Sequence, residues 1–291
     1  MRKISFNIAD KDSGREIRDY LRSFGVSSSL LTRLKKTENG ITLNGEFART
    51  IDRLSSGDIL EISIESKGKM PAPSGKSLEI LYEDEDVLAV NKPPFMPVHE
   101  SRNHRGDALS NAAAGYMTED TAFRAVYRLD RDTSGIVLIA KNELAAAKLA
   151  GKIKKDYYAI VCGTAEADSE IDAPIARLDK SIIKRCVHSD GERAVTHYKT
   201  VCSNGKYSLL KINLETGRTH QIRVHFSGIG LALLGDTLYG EESSLINRQA
   251  LHCKTIYFRH PITDTEITVT SDFPQDMKKI IETEFKSKRS G

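Results

Sequence analysis

Tryptophan is absent from the 291 residues, cysteine occurs four times, and the formal net charge is only +3. Each shortage excludes something. Cys162, Cys186, Cys202 and Cys253 are widely separated with no paired spacing, so reduced thiols are expected, with neither a disulfide framework nor a zinc knuckle. No uninterrupted apolar run approaches the roughly 18 residues of a membrane span, so no transmembrane helix is expected. The N-terminal text MRKISFNIAD has no long apolar segment before a small-residue cleavage site, which argues against a secretory signal and leaves the cytoplasm as the expected location. No nucleotide-binding motif and no metal-ligand spacing is visible, so neither cofactor nor metal is expected.

What is present is the composition of a globular protein, 39% hydrophobic and 29% charged. The length suggests about two domains. The small charge surplus is unevenly placed: residues 1–69 hold 13 Lys+Arg against 10 Asp+Glu, which accounts for all of it. A nucleic-acid partner is permitted by this, and so is a merely solvated surface.

Along the chain, Ser13 and Glu16 form the pattern of a capping box, followed by Ile17, Tyr20, Leu21 and Phe24 on one helical face and a stop at Gly25. Ser27 to Lys36 reads as a second short helix with Arg33, Lys35 and Lys36 at its C-terminal end, where the helix dipole also favours cations. Asn44-Gly45 and Gly57-Asp58 turn the chain through two short strands, Ile41 to Leu43 and Ile59 to Ile64. The stretch SKGKMPAPSGKS, residues 66–77, has no periodicity and reads as a linker. This gives a small domain over 1–66, a linker over 67–77 and a large domain over 78–291.

The large domain is strand-rich. Leu78 to Tyr82 and Val87 to Val90 read as a hairpin ended by Asn91-Lys92-Pro93-Pro94, and a loop containing His99, Arg102, His104 and Arg105 follows. A short helix is expected from Asp107 to Met117, a buried strand at Ile136 to Ala140, and a helix capped by Asn142 running to about Ile153. Strands follow at Tyr157 to Val161, Ala194 to Cys202 and Tyr207 to Glu215, then a short helix from Gln221. A strand pair crosses His260-Pro261, and Pro274 starts a last helix. Strands without regular strand-helix-strand spacing argue against a doubly wound fold.

The chemistry concentrates in Val126 to Lys141, VYRLDRDTSGIVLIAK, where acidic side chains stand at the edge of a core strand. Asp130 and Asp132 are the candidates. A second dense polar block, GRTHQIRVH, supplies Arg218, His220, Gln221, Arg223 and His225. A guanidinium beside Asp130 would hold the carboxylate ionised and oriented, a task suited to the fixed fork of arginine. Because successive residues of a strand face opposite ways, one of Tyr157 and Tyr158 faces a pocket and the other does not.

The run Tyr127-Arg128-Leu129-Asp130-Arg131-Asp132-Thr133-Ser134-Gly135 resembles the signature of the RluA-type pseudouridine synthases, His-Arg-Leu-Asp, two variable positions, then Thr or Ser and Gly. The text from Lys92 resembles that family's Lys-Pro-x-Gly-x-x-Val-His loop, with Phe95 in place of Gly. GREIRDYLRSFGVSSSLLTRLKKTENGITLNG resembles an S4-type RNA-binding domain. The resemblance implies an α+β protein: a small S4-like domain, then a large catalytic domain built on a mixed, mainly antiparallel sheet with flanking helices.

It further implies isomerisation of uridine to pseudouridine in structured RNA, large-subunit ribosomal RNA rather than tRNA, by a monomer acting off the membrane. Asp130 would be the catalytic aspartate, Arg223 its partner with Arg218 second, Arg128 the residue holding RNA with the nucleotide turned out, and Tyr157 the aromatic under the uracil. Arg15, Arg33, Lys35, Lys36, His99, Arg102, Arg218 and His220 would contact RNA. Tyr127 stands where the family has His and is given no acid or base role. Two other readings are open: a non-catalytic RNA-binding or ribosome-assembly protein, and a magnesium-dependent aspartyl phosphatase, since Asp130-Arg131-Asp132-Thr133 also fits Asp-x-Asp-x-Thr.

Overall fold

The computed structural model describes residues 1–65, 68, 70–102, 104–117, 121–178, 181 and 183–286. Parts of the expected linker therefore lie outside the described residues. Two sheets carry the architecture.

The first is four-stranded, in the order β1-β4-β2-β3, with β1 Arg2–Asn7, β2 Ile41–Leu43, β3 Glu46–Phe47 and β4 Ile59–Ile64. Helices α1 (Ile17–Phe24) and α2 (Ser28–Leu34) pack on it, because Ile17, Leu21, Leu30, Leu31 and Leu34 share a core with Ile4, Phe6, Leu60, Ile62 and Ile64. Gly25 ends α1 in the left-handed conformation, φ +106°, and the Ser27 side chain caps α2 by accepting from the Leu30 amide. The expected capping box does not form: Ser13 closes a 3-10 turn at Asp10–Asp12 and α1 begins only after Glu16, with no side-chain cap.

The second sheet has nine strands, β5 Glu79–Glu83, β6 Val87–Lys92, β7 Ser134–Ala140, β8 Lys154–Cys162, β9 Asp168–Asp172, β12 Val195–Ser203, β13 Tyr207–Leu214, β14 Leu251–Arg259 and β15 Glu266–Thr270, while β10 Ile175–Arg177 and β11 Arg185–Val187 form a separate hairpin. The large sheet runs β5-β6-β7-β14-β8-β13-β12-β9, with β15 also on β14. Its pairs are antiparallel except β7 with β14. The doubly wound parallel sheet that a phosphatase would need is thus not what these residues build. At the parallel contact Gly135 is required, since any Cβ there would overlap the Cys253 backbone, and its φ is +116°.

Four further helices flank this sheet: α3 Leu109–Tyr116, α4 Glu143–Leu149, α5 Gln221–Gly228 and α6 Gln275–Ile280. Asn142 caps α4 through the Ala145 amide, but α4 stops at Leu149 instead of Ile153, and the chain turns at Gly151 with φ +71°. Behind the signature loop, buried His252 sits between the hydroxyls of Ser134, 2.9 Å, and Ser271, 3.0 Å. Among the described residues no helix is long and apolar enough to cross a membrane.

The two units touch. Arg2 reaches Asp86 with Nε and Nη2 at 3.0 and 2.9 Å, Arg33 pairs with Glu143, and the Lys148 ammonium lies 3.7 Å from the centre of the Phe24 ring. Leu144 of α4 is counted in the N-terminal core.

Candidate active site

A cleft of about 1100 Å³ opens over the β7 end of the large sheet, walled by the signature loop, the N-terminal part of α5 and the loop after β6. Three consecutive carbonyls of the signature loop are each captured. The Asp130 carbonyl accepts from the Thr133 amide at 3.1 Å, that of Arg131 from Lys92 Nζ at 3.0 Å, and that of Asp132 from Arg248 Nη1 at 3.1 Å. Arg248 is itself held by Asp276 of α6 at 2.7 and 2.9 Å. A loop fixed at three successive peptide groups cannot swing, which sets the direction of its side chains.

Lys92 is fully buried. Its ammonium donates to the carbonyls of Pro93, 2.9 Å, and Met96, 2.8 Å, besides Arg131, so three acceptors match three donors. Burial pulls its pKa down to about 7, against the opposing charges of Asp132 and Asp130.

The Asp130 carboxylate is half-buried in the cleft, its Oδ2 3.3 Å from Arg223 Nη1 and 3.9 Å from His220 Nε2. Arg223 enters from α5, whose first residues follow a tight turn in which His220 takes φ +58°. Asp236 grips the same guanidinium at Nε, 2.7 Å, and Nη2, 2.8 Å. Burial works against the Arg223 charge, but the hydrogen bonds and charge of Asp236, together with Asp130, outweigh it and leave the pKa raised. Burial is also the main cause that lowers His220, opposed by Asp130 and reinforced by Arg223. His220 Nδ1 lies 2.8 Å from the Tyr239 hydroxyl, and that hydroxyl accepts the backbone N–H of Arg185 at 2.9 Å.

Tyr157 is buried and lines the cleft, whereas Tyr158 turns away to meet Phe273 edge-on at 5.2 Å. Beneath the cleft Cys253 lies against Tyr157 and Tyr127; burial drives all three upward, the thiol to about 12. The Tyr127 hydroxyl donates to the Ile136 carbonyl at 2.8 Å, a tie to β7. Lys155 also lines the cleft, its Nζ 4.5 Å from the centre of the Tyr127 ring.

The structure gathers Asp130, Arg223, Tyr157, Arg128, His99, Arg218 and His220 around this one cleft. Arg128 is exposed, and His99 meets Phe123 edge-on at 5.2 Å. Arg218 is engaged with Glu192 and the Arg193 carbonyl. Arg102 is exposed outside the cleft lining. The N-terminal residues are not brought there: Arg15 pairs with Asp12 at 2.6 Å, Arg33 pairs with Glu143, and Lys35 and Lys36 are exposed.

Sequence reasoning passed over Lys92, Arg248, Asp236 and Tyr239. Lys92 stood in text taken as a strand end and the start of a family-like loop, with no role of its own, and Asp236 and Tyr239 in text taken only as turns. The signal was the Asp followed three residues later by Tyr between two turn glycines, more polar chemistry than a turn needs.

One trio, Asp84, Asp86 and His260, has metal-like spacing. Its atoms are already occupied: His260 Nε2 meets Asp84 Oδ2 at 3.0 Å, Asp84 Oδ1 accepts the amides of Asp86 and Val87, and Asp86 accepts from Arg2 and Asn142.

With the geometry in place, the comparisons decide the family. The model of the RNA pseudouridylate synthases matches residues 86–228. The uncharacterized RNA pseudouridine synthase YjbO of Bacillus subtilis is 40% identical over 280 residues, covering 92% of this chain and 99% of the relative. The chain belongs to the RNA pseudouridine synthases. It is an enzyme, an isomerase acting on uridine in RNA. Ribosomal large subunit pseudouridine synthase D of Zymomonas mobilis is 36% identical over 288 residues, with 86% of this chain and 90% of the relative covered. Among solved structures, human RNA pseudouridylate synthase domain containing 1 matches with a TM-score of 0.56 and 26% identity over 70% of this synthase and 86% of that chain.

Proposed function

We propose that this synthase modifies uridine in large-subunit ribosomal RNA, with Asp130 as the catalytic aspartate. The observation that carries the reading is the placement of the Asp130 carboxylate in an open cleft, 3.3 Å from an arginine that a second, buried aspartate holds in place. The ribosomal target is supported by relatives named ribosomal large subunit pseudouridine synthase D, from three bacteria at 32 to 36% identity.

In the reaction the bond from uracil N1 to ribose C1′ breaks, the base turns while held, and C5 bonds to C1′. The C5 proton is lost and N1 gains one. Asp130 serves either by attacking C1′ or by taking a ribose proton, and Arg223 holds it in place for both. Turning the nucleotide out of its stack costs a few kcal/mol. Stacking on Tyr157 returns on the order of 1 to 3 kcal/mol. Arg128, exposed at the cleft, holds the RNA from which the nucleotide leaves. His99, His220 and Arg218 line the same surface, with Arg102 outside it.

The N-terminal unit is an S4-like RNA-binding module. Its two helices packed on a small four-stranded sheet and its exposed Lys35 and Lys36 support this, and phosphate neutralisation would give affinity without sequence readout. Arg15 and Arg33 are RNA contacts only after leaving Asp12 and Glu143.

The test maps pseudouridine in total RNA from a strain lacking the protein and from the same strain carrying Asp130→Asn. One or more large-subunit sites should disappear in both while RNA affinity stays within a few-fold. Full modification by Asp130→Asn removes Asp130 from the mechanism, and loss confined to tRNA removes the ribosomal target.

A further inference from the structure

Phe95 combines three observations that its neighbours do not share. It is a large aromatic side chain left 49% exposed, it lines the catalytic cleft, and its backbone takes φ +62°, a region where a Cβ is strained. The strain is imposed. The Lys92 ammonium, with no exposure of its own, holds the Pro93 carbonyl on one side of Phe95 and the Met96 carbonyl on the other, and its third bond goes to Arg131, next to Asp130. The loop tip is therefore clamped both to itself and to the catalytic loop, with Phe95 pushed out between the clamp points.

An aromatic ring held out at such a point gains less for folding than a buried one. It buries about half its surface, keeps the rest in water, and adds backbone strain that glycine would not have. Strain of this kind persists where the ring has a use in the folded molecule. In a cleft that takes RNA with one nucleotide turned out, the use with matching chemistry is a face for a nucleobase, because every base has a π-face and, among the described residues, no ring or cation stacks on Phe95.

We infer that Phe95 is a stacking platform for a nucleobase of the RNA substrate, a base other than the uracil that rests on Tyr157. Because Lys92 ties the carbonyl of the adjoining Met96 to that of Arg131, this second base lies close to the target nucleotide. Phe95 thus contributes to which RNA is held and takes no part in the bond exchange at Asp130. The inference rests on the proposed reading of the cleft as the RNA site.

The experiment measures binding of the full chain to large-subunit ribosomal RNA from a strain lacking the protein, across a salt series, for wild type, Phe95→Gly, Phe95→Leu and Phe95→Trp. Phe95→Gly and Phe95→Leu should weaken binding about tenfold, and Phe95→Trp should stay within about twofold of wild type. The slope against salt should be the same in all four, since stacking releases no counterions. Phe95→Gly, relieved of strain, should melt no lower than wild type, so weakened binding cannot be laid to unfolding. Wild-type affinity in Phe95→Leu, or a changed salt slope in the variants, overturns the inference. Failure of the wild type itself to prefer this RNA over tRNA overturns the ribosomal reading instead, and the same four proteins compared on tRNA still decide whether Phe95 stacks.

Discussion

Asp236 occupies Nε and Nη2 of Arg223 at 2.7 and 2.8 Å, which leaves Nη1 as the nitrogen that reaches Asp130, at 3.3 Å. One carboxylate fixes the guanidinium plane so that the other can be served by what remains. The first is sealed in the protein and the second faces the cleft, so the same arginine links fold stability to the carboxylate in the cleft.

Removing Asp236 should therefore damage both. Asp236→Ala leaves a buried guanidinium without its main partner, and an expected loss of about 3 to 5 kcal/mol in urea unfolding follows. Unchanged stability would mean that Arg223 finds another acceptor.

Arg223→Lys keeps the charge but replaces a planar fork by a compact ammonium that cannot serve Asp236 and Asp130 in fixed directions. The turnover number should fall by about 10²-fold with KM for RNA within a few-fold, since the loss concerns stabilisation of the reacting groups. A raised KM with normal turnover would place Arg223 in RNA binding alone.

The Tyr239 hydroxyl accepts from the Arg185 amide and lies 2.8 Å from His220 Nδ1; where it gives its own proton to that nitrogen, the Nε2–H tautomer of His220 faces Asp130. Tyr239→Phe should disturb this tautomer, read from the ring nitrogen shifts of His220 by NMR, and lower turnover by about tenfold or less. A wild-type spectrum with the proton on Nδ1 would reverse the assignment.

His252 gives the acid limb of stability. Burial, with the neighbouring charges of Lys254 and Arg248, lowers its pKa to about 3, while in the unfolded chain it titrates near about 6.5. Between these values the unfolded chain binds the extra proton. The contribution is intact above about pH 6.5 and is lost as pH falls towards about 3, at up to about 1.4 kcal/mol per pH unit. His252→Gln should flatten the dependence of unfolding free energy on pH between pH 6 and 4, to be measured by urea titration.

Lys35→Ala and Lys36→Ala should each weaken RNA binding across sequences and reduce the salt slope by about one. Arg33→Ala should have a smaller effect on the slope, because Glu143 already holds that guanidinium. Slopes equal to that of the wild type in all three variants would deny the C-terminal end of α2 a role in phosphate contact.

What could be read ahead of the structure followed from periodicity and local chemistry. The hairpin of β5 and β6, the cap at Asn142, the stop at Gly25 and the alternation of β13 are all local signals. The pairing of Asp130 with Arg223 was reachable through the family resemblance, which picked Arg223 out of a polar block already dense enough to stand out from its apolar flanks. Lys92 and Arg248 were not, since their bonds are to backbone carbonyls far along the chain, and no side-chain pattern marks which peptide groups a fold will leave in need of a donor. The engagement of Arg33 by Glu143 was likewise hidden, being set by how two units pack rather than by either alone.

Cys253 lies under the cleft with its thiol pushed to about 12, so reagents that need a thiolate find neither access nor a reactive sulfur while the cleft floor is closed. Alkylation at this one position, separated by peptide mapping from exposed Cys162, then runs only as fast as the layer of Tyr127 and Tyr157 breathes. The protein carries its own clock for that motion, and bound RNA should slow it.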